Sequence, residues 1–202
     1  MKRLLEFFVE LFSFFFWAIM IFGFNSPSVA VFTVISAIIH ESGHIAALFV
    51  TGEYAGPPRF VLSGMRLSPR GGVSYKKELI IAAAGPFFNL FAFLVFLLLS
   101  YPLGRYFRLL ATLNLLTALS NLLPVEGYDG YKIIKAIILM KSPLPTMEPI
   151  LRGVSLFFIA LMTFLSLYFI MKVGEGYWIY SVFFVSMLVS LFRGKNIKKR
   201  GF

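Results

Sequence analysis

His40-Glu41-Ser42-Gly43-His44 is the part of this chain best suited to chemistry. The only two histidines among 202 residues stand four apart, with a glutamate beside the first. On a helix, positions i and i+4 share a face, so both imidazoles can reach one ion. In the H-E-x-x-H arrangement the two histidines hold Zn²⁺ and the glutamate serves as general base for hydrolysis. The flanks are apolar on both sides, Val29 to Ile39 before and Ile45 to Val50 after. A hydrolytic metal site inside such a stretch implies chemistry at membrane depth. Hydrogen-bonded packing would also account for two histidines, but not for a neighbouring buried glutamate, which is costly without a partner.

Two histidines do not complete such a site. Catalytic zinc takes three protein ligands and keeps one position open. The chain has no cysteine and no third histidine, so the missing ligand must be a carboxylate or something weaker. The single aspartate is Asp129, in Asn121-Leu-Leu-Pro124-Val-Glu-Gly-Tyr-Asp129-Gly130. Glu126, three residues away, is the rival.

The elements that must position these groups are membrane spans. Apolar residues make up 59% of the chain, against about 45–50% in soluble domains. They fall into six runs, roughly 4–24, 28–51, 79–101, 107–123, 149–171 and 177–192. Each is close to the ~20 residues that cross a hydrocarbon core. The first is too long for a signal-peptide core, carries Glu6 and Glu10 and lacks a small-residue cleavage site, so it reads as a span. The expected fold is therefore all-α and polytopic: one integral membrane domain over residues 1–202 with six transmembrane helices.

A net charge of +10 could suggest nucleic acid. The basic residues instead cluster between apolar runs and at the C-terminus, which excludes that class. With both termini in the cytoplasm, 16 of the 19 lysines and arginines fall inside, and only Arg105, Arg108 and Lys172 fall outside. That division follows the positive-inside rule. The expected location is the plasma membrane, multi-pass. His40 to His44 then lie in the inner half of the second span, and Asp129 arrives on the same side after the fourth.

Taken with that topology, H-E-x-x-H and N-x-x-P-x-x-x-x-D-G resemble the site-2 protease family of intramembrane zinc metalloproteases. Ala82-Ala-Ala-Gly85-Pro86-Phe-Phe-Asn89 is similar to that family's A-G-P-x-x-N. The resemblance covers about residues 28–142, the expected catalytic core. It implies Zn²⁺ as cofactor, His40, His44 and Asp129 as metal ligands, and Glu41 as the catalytic base. Its Asp-Gly register favours Asp129 over Glu126. It implies a role for Asn121 in holding substrate backbone or oxyanion, although a helix–helix hydrogen bond would equally suit that residue. Asn89 is the second candidate for substrate binding, or a packing or capping residue near the site. No PDZ-like insert is legible, and the compact six-span plan resembles the sporulation-protease-like branch, from which this sequence departs in showing no nucleotide-sensing domain.

A transmembrane substrate must be unwound to be cut, which exposes backbone groups that the enzyme has to satisfy. Adding the substrate as a strand to a sheet edge would do so. Arg59 to Tyr75, between the second and third spans, reads as short strand-like runs around Gly-containing turns. A short membrane-associated β-hairpin or loop is expected there, as in the family. An ordinary cytoplasmic loop touching anionic headgroups is the plainer reading. Gly130 to Lys141 reads as an amphipathic surface helix ended by Pro143 and Pro145.

The function expected from these features is hydrolysis of a membrane-protein substrate within the bilayer near the cytoplasmic face. The chief alternative is an inactive scaffold or chaperone, against which stands a full set of catalytic side chains. An ion transporter is disfavoured by the lack of inverted repeats of interrupted helices. The sequence leaves substrate identity and oligomeric state open.

Overall fold

The computed structural model describes residues 22–23, 26–53, 59–61, 64–66, 73–141 and 144–173. The expected first and sixth spans lie outside these residues, apart from Phe22 and Gly23, which are helical.

Helix α1 runs Pro27–Thr51. Proline in the first turn sacrifices only an amide that has no intrahelical partner, so it suits this start. Gly52 ends the helix at φ 73°. Gly52 N–H donates to Phe49 O at 3.1 Å and Glu53 N–H to Leu48 O at 2.9 Å, the paired bonds of a Schellman stop. Strands β1 (Arg59–Val61) and β2 (Gly64–Arg66) follow. They pair antiparallel, with Phe60 opposite Met65. Residues 62–63 and 67–72 of the expected strand-forming segment lie outside the described residues.

Helix α2 runs Tyr75–Leu103, opened by Ser74, whose Oγ accepts from Lys77 N–H at 3.5 Å. Lys77 Nζ also donates to Glu53 Oε1 at 2.7 Å, tying the start of α2 to the end of α1. Gly104, at φ 83°, is the whole connection to α3, Arg105–Asn121. So short a link folds α3 back along α2. The turn 122–128 then leads into α4, Asp129–Leu139. The last described helix, α5, is Leu144–Val173. It begins five residues before the expected fifth span. Pro145 falls in its first turn, where proline is tolerated, rather than only closing the preceding helix.

Helix α2 is the hub: α1, α3 and α4 all pack on it, α1 also meets α3, and α4 meets α5. The interfaces are lined by small residues, among them Ala47, Ala82, Ala92, Ala111, Ala118 and Ala136. Small side chains let helix backbones approach closely where lipid supplies no hydrophobic drive between helices. Polar residues are inside as well: Ser36, Asn89, Asn114 and Ser155 are completely buried. Large apolar residues such as Ile38, Phe87, Phe91, Leu94 and Leu98 are outside. An exterior of this kind matches hydrocarbon, not water. Helices α1 and α2 are each long and apolar enough to cross a membrane.

Candidate metal centre

Glu41 aside, the chemistry-bearing residues of α1 lie on the face turned to α2 and α4. His40 and His44 are each 5% exposed. They are one turn apart and their rings meet edge to face, with centroids 4.8 Å apart. Asp129 is 2% exposed and comes from the first residue of α4.

His40 Nε2 and His44 Nε2 each lie 2.9 Å from Asp129 Oδ2. The two Nε2 atoms lie 3.1 Å apart. The far ring nitrogens have protein partners. His40 Nδ1–H donates to Asn89 Oδ1 at 2.7 Å, and His44 Nδ1–H donates to the Ile81 carbonyl at 2.7 Å. A neutral imidazole carries one N–H, so a ring that donates from Nδ1 presents a lone pair at Nε2. Two such lone pairs and a carboxylate oxygen therefore converge in a buried space. A proton can bridge one pair of them; a divalent cation serves all three.

The dimensions suit zinc. Bonds of about 2.0–2.1 Å in a tetrahedron place neighbouring donor atoms about 3.3 Å apart. The three edges here, 2.9, 2.9 and 3.1 Å, are within a few tenths of that. Among the described residues, His40, His44 and Asp129 form a group able to hold a metal ion, and Glu126 is not in it. Burial alone pushes the Asp129 carboxyl up, but its contacts with His40 and His44 and the nearby Lys132 charge hold it well below the usual carboxylate range.

Two glycines make the convergence possible. A Cβ on Gly85 would collide with His44 Nε2 and lie 2.8 Å from His40 Cε1. The helix α2 backbone thus forms the floor on which both rings rest. A Cβ on Gly130 would collide with the Leu122 carbonyl and lie 2.7 Å from Leu123 O. The residue after Asp129 must therefore be bare for α4 to start where it does. The turn before it is held by Glu126 N–H, which donates to Ser155 Oγ of α5 at 2.7 Å.

The remaining site residues divide. Glu41 is half-buried and close enough to His40, His44, Asp129 and Lys132 to feel their charges, yet it is outside the ligand group. Asn121 is half-buried and donates to Thr117 O of its own helix at 3.0 Å. Asn89, a candidate for substrate binding, is completely buried, and both ends of its amide are spent on protein partners. It supports His40 from behind, which agrees with its alternative placement as a packing residue near the site. Ile81, Asn114 and Lys132 take part in the site without a motif to mark them.

The coordinates overlay on a solved structure described as "Site-2 Protease from Methanocaldococcus jannaschii" with a TM-score of 0.69, covering 89% of this chain and 86% of that one. The chain has the site-2 protease fold. Sequence identity over the overlay is 21%, so the likeness is one of architecture. No protein-family model and no curated protein matches the chain. Within this site-2 protease fold, the case that His40, His44 and Asp129 could hold a metal ion rests on this chain's own geometry.

Proposed function

We propose that this chain is an intramembrane zinc metalloendopeptidase that cuts a transmembrane or membrane-associated protein near the cytoplasmic face. One observation carries the reading: three buried donor atoms, from α1 and α4, converge with lone pairs facing one another. His40, His44 and Asp129 would hold Zn²⁺. When bound, the ion supplies a Lewis acid for the scissile carbonyl and acidifies a water. Glu41 takes the proton from the attacking water and passes it to the leaving amine nitrogen. The small-residue walls of α1 and α2 keep bulk water from the ligand side chains.

The substrate enters unwound, since an intact helix hides its amides. The antiparallel pair β1 and β2 offers an edge to which an extended backbone can add. Asn121, near the inner end of α3, is the candidate to hold that backbone. The distribution of lysine and arginine supports six spans in the plasma membrane with both termini cytoplasmic.

The test compares membrane-protein fragments in cells carrying wild type or Glu41→Gln. Fragments should form only with wild type, while both proteins hold equal zinc. The same fragments from both, with zinc retained, would refute Glu41 as the base. Fragments from neither would point to a scaffold.

A further inference from the structure

Behind His40 runs a line of hydrogen bonds whose direction can be read from its far end. Leu110 O is a backbone carbonyl and can only accept. It lies 2.8 Å from the side-chain nitrogen of Asn114, so that end of the amide is the NH₂. Asn114 Oδ1 must then point the other way, and it accepts from Asn89 Nδ2 at 2.8 Å. Asn89 Nδ2 also lies 3.0 Å from Ser36 O, a second group that can only accept. Two independent carbonyls thus dictate that Asn89 turns its oxygen toward His40. At 2.7 Å from that oxygen, His40 Nδ1 must be the protonated nitrogen. In the neutral ring, Nε2 then presents a lone pair to the ligand space.

The line joins three helices, α3 at Leu110 and Asn114, α2 at Asn89 and α1 at Ser36 and His40. Both asparagines have zero exposure, so no water competes for their bonds. Ser36 Oγ, 2.8 Å from Thr117 Oγ1, braces α1 against α3 one turn further along. We infer that Asn89, held in one amide orientation by Ser36 and Asn114, is a positioning residue that fixes the tautomer of His40 and so prepares it as a metal ligand before any metal arrives. His44 reaches the same state by a different route, through the Ile81 backbone carbonyl, which no side-chain substitution removes. The two rings of one site are therefore set by separable means. The importance of this device for metal binding rests on the function proposed above; the tautomer itself does not.

Since the chain has two histidines, both in the site, a sample with ¹⁵N-labelled histidine reports those rings and nothing else. The experiment uses the full chain, stripped of metal. In wild type both rings should show a protonated Nδ1, whether or not a proton is shared between an Nε2 and Asp129 Oδ2. Asn89→Leu removes the acceptor and should shift His40 toward the other tautomer while His44 is unchanged. Zinc affinity should fall about 10- to 100-fold, the usual effect of losing a ligand's outer hydrogen bond. Asn89→Asp retains an acceptor for Nδ1–H and should keep the wild-type tautomer, which gives a second variant if the leucine form does not fold. A wild-type His40 with no proton on Nδ1, or an Asn89→Leu spectrum identical to wild type, overturns the inference. Wild type that shows the expected tautomers yet binds no zinc would instead defeat the proposed function and leave this device standing.

Discussion

Lys132 Nζ lies 2.7 Å from Asp129 Oδ1, while the other carboxylate oxygen, Oδ2, faces both imidazoles at 2.9 Å. The two residues are one turn apart at the start of α4. Each oxygen of Asp129 thus has a separate task. Lys132 occupies Oδ1 and leaves Oδ2 alone to face the two imidazoles, so Asp129 would offer a bound ion one oxygen. A second bound oxygen would crowd the position a substrate or water needs.

Lys132→Met should release Oδ1 to bind as well. In protein loaded with Co²⁺, the visible spectrum should move from the intense bands of a four-coordinate ion toward the weaker bands of a five-coordinate one. Cleavage should fall while metal is retained. An unchanged cobalt spectrum would mean that the ammonium does not control the mode of ligation.

Gly85→Ala tests the floor of the site. The added methyl would occupy space held by His44 Nε2 and approach His40 Cε1 to 2.8 Å. Zinc affinity, measured by chelator competition, should fall at least about tenfold, as expected when ligand orientation is lost. Helix content by circular dichroism should be preserved. Full affinity in this variant would mean that the rings do not rest on the α2 backbone.

Gly130→Ala and Gly153→Ala form a matched pair. The first drives a methyl into the Leu122 carbonyl and should displace the start of α4 together with Asp129, with loss of zinc. At Gly153 nothing lies within 4 Å of the added atom. That variant should be neutral, or more stable by about 0.4–1 kcal/mol through a less flexible unfolded chain. Thermal unfolding and zinc content distinguish the two. Equal behaviour would contradict the close approach at Gly130.

How far the sequence reveals this site depends on the range of the interaction. His40, Glu41 and His44 lie within one turn, so helical period alone puts both imidazoles on one face. Asp129 is legible because it is the single aspartate and its motif register is distinctive. Choosing it over Glu126 on physical grounds requires the turn 122–128 and the bare backbone at Gly130, which are tertiary facts. The support from Asn89, Asn114 and Ile81 depends on which faces of α1, α2 and α3 touch, and no local pattern encodes that. One signal does exist: Asn89 and Asn114 are amides within apolar runs, and such groups need partners where water is absent. The starts of α3 and α5 differ from the expected spans because composition registers apolar length, whereas a helix also includes the polar turns that flank it.

The convergence of His40, His44 and Asp129 is most directly tested by metal content. Purified chain should carry one zinc per molecule, with an X-ray absorption spectrum of nitrogen and oxygen neighbours at about 2.0–2.1 Å. Glu41→Gln should carry the same amount, and His44→Ala or Asp129→Ala should carry little or none. Zinc held undiminished by the Asp129→Ala protein would contradict the site, because α4 would then contribute nothing to binding the ion.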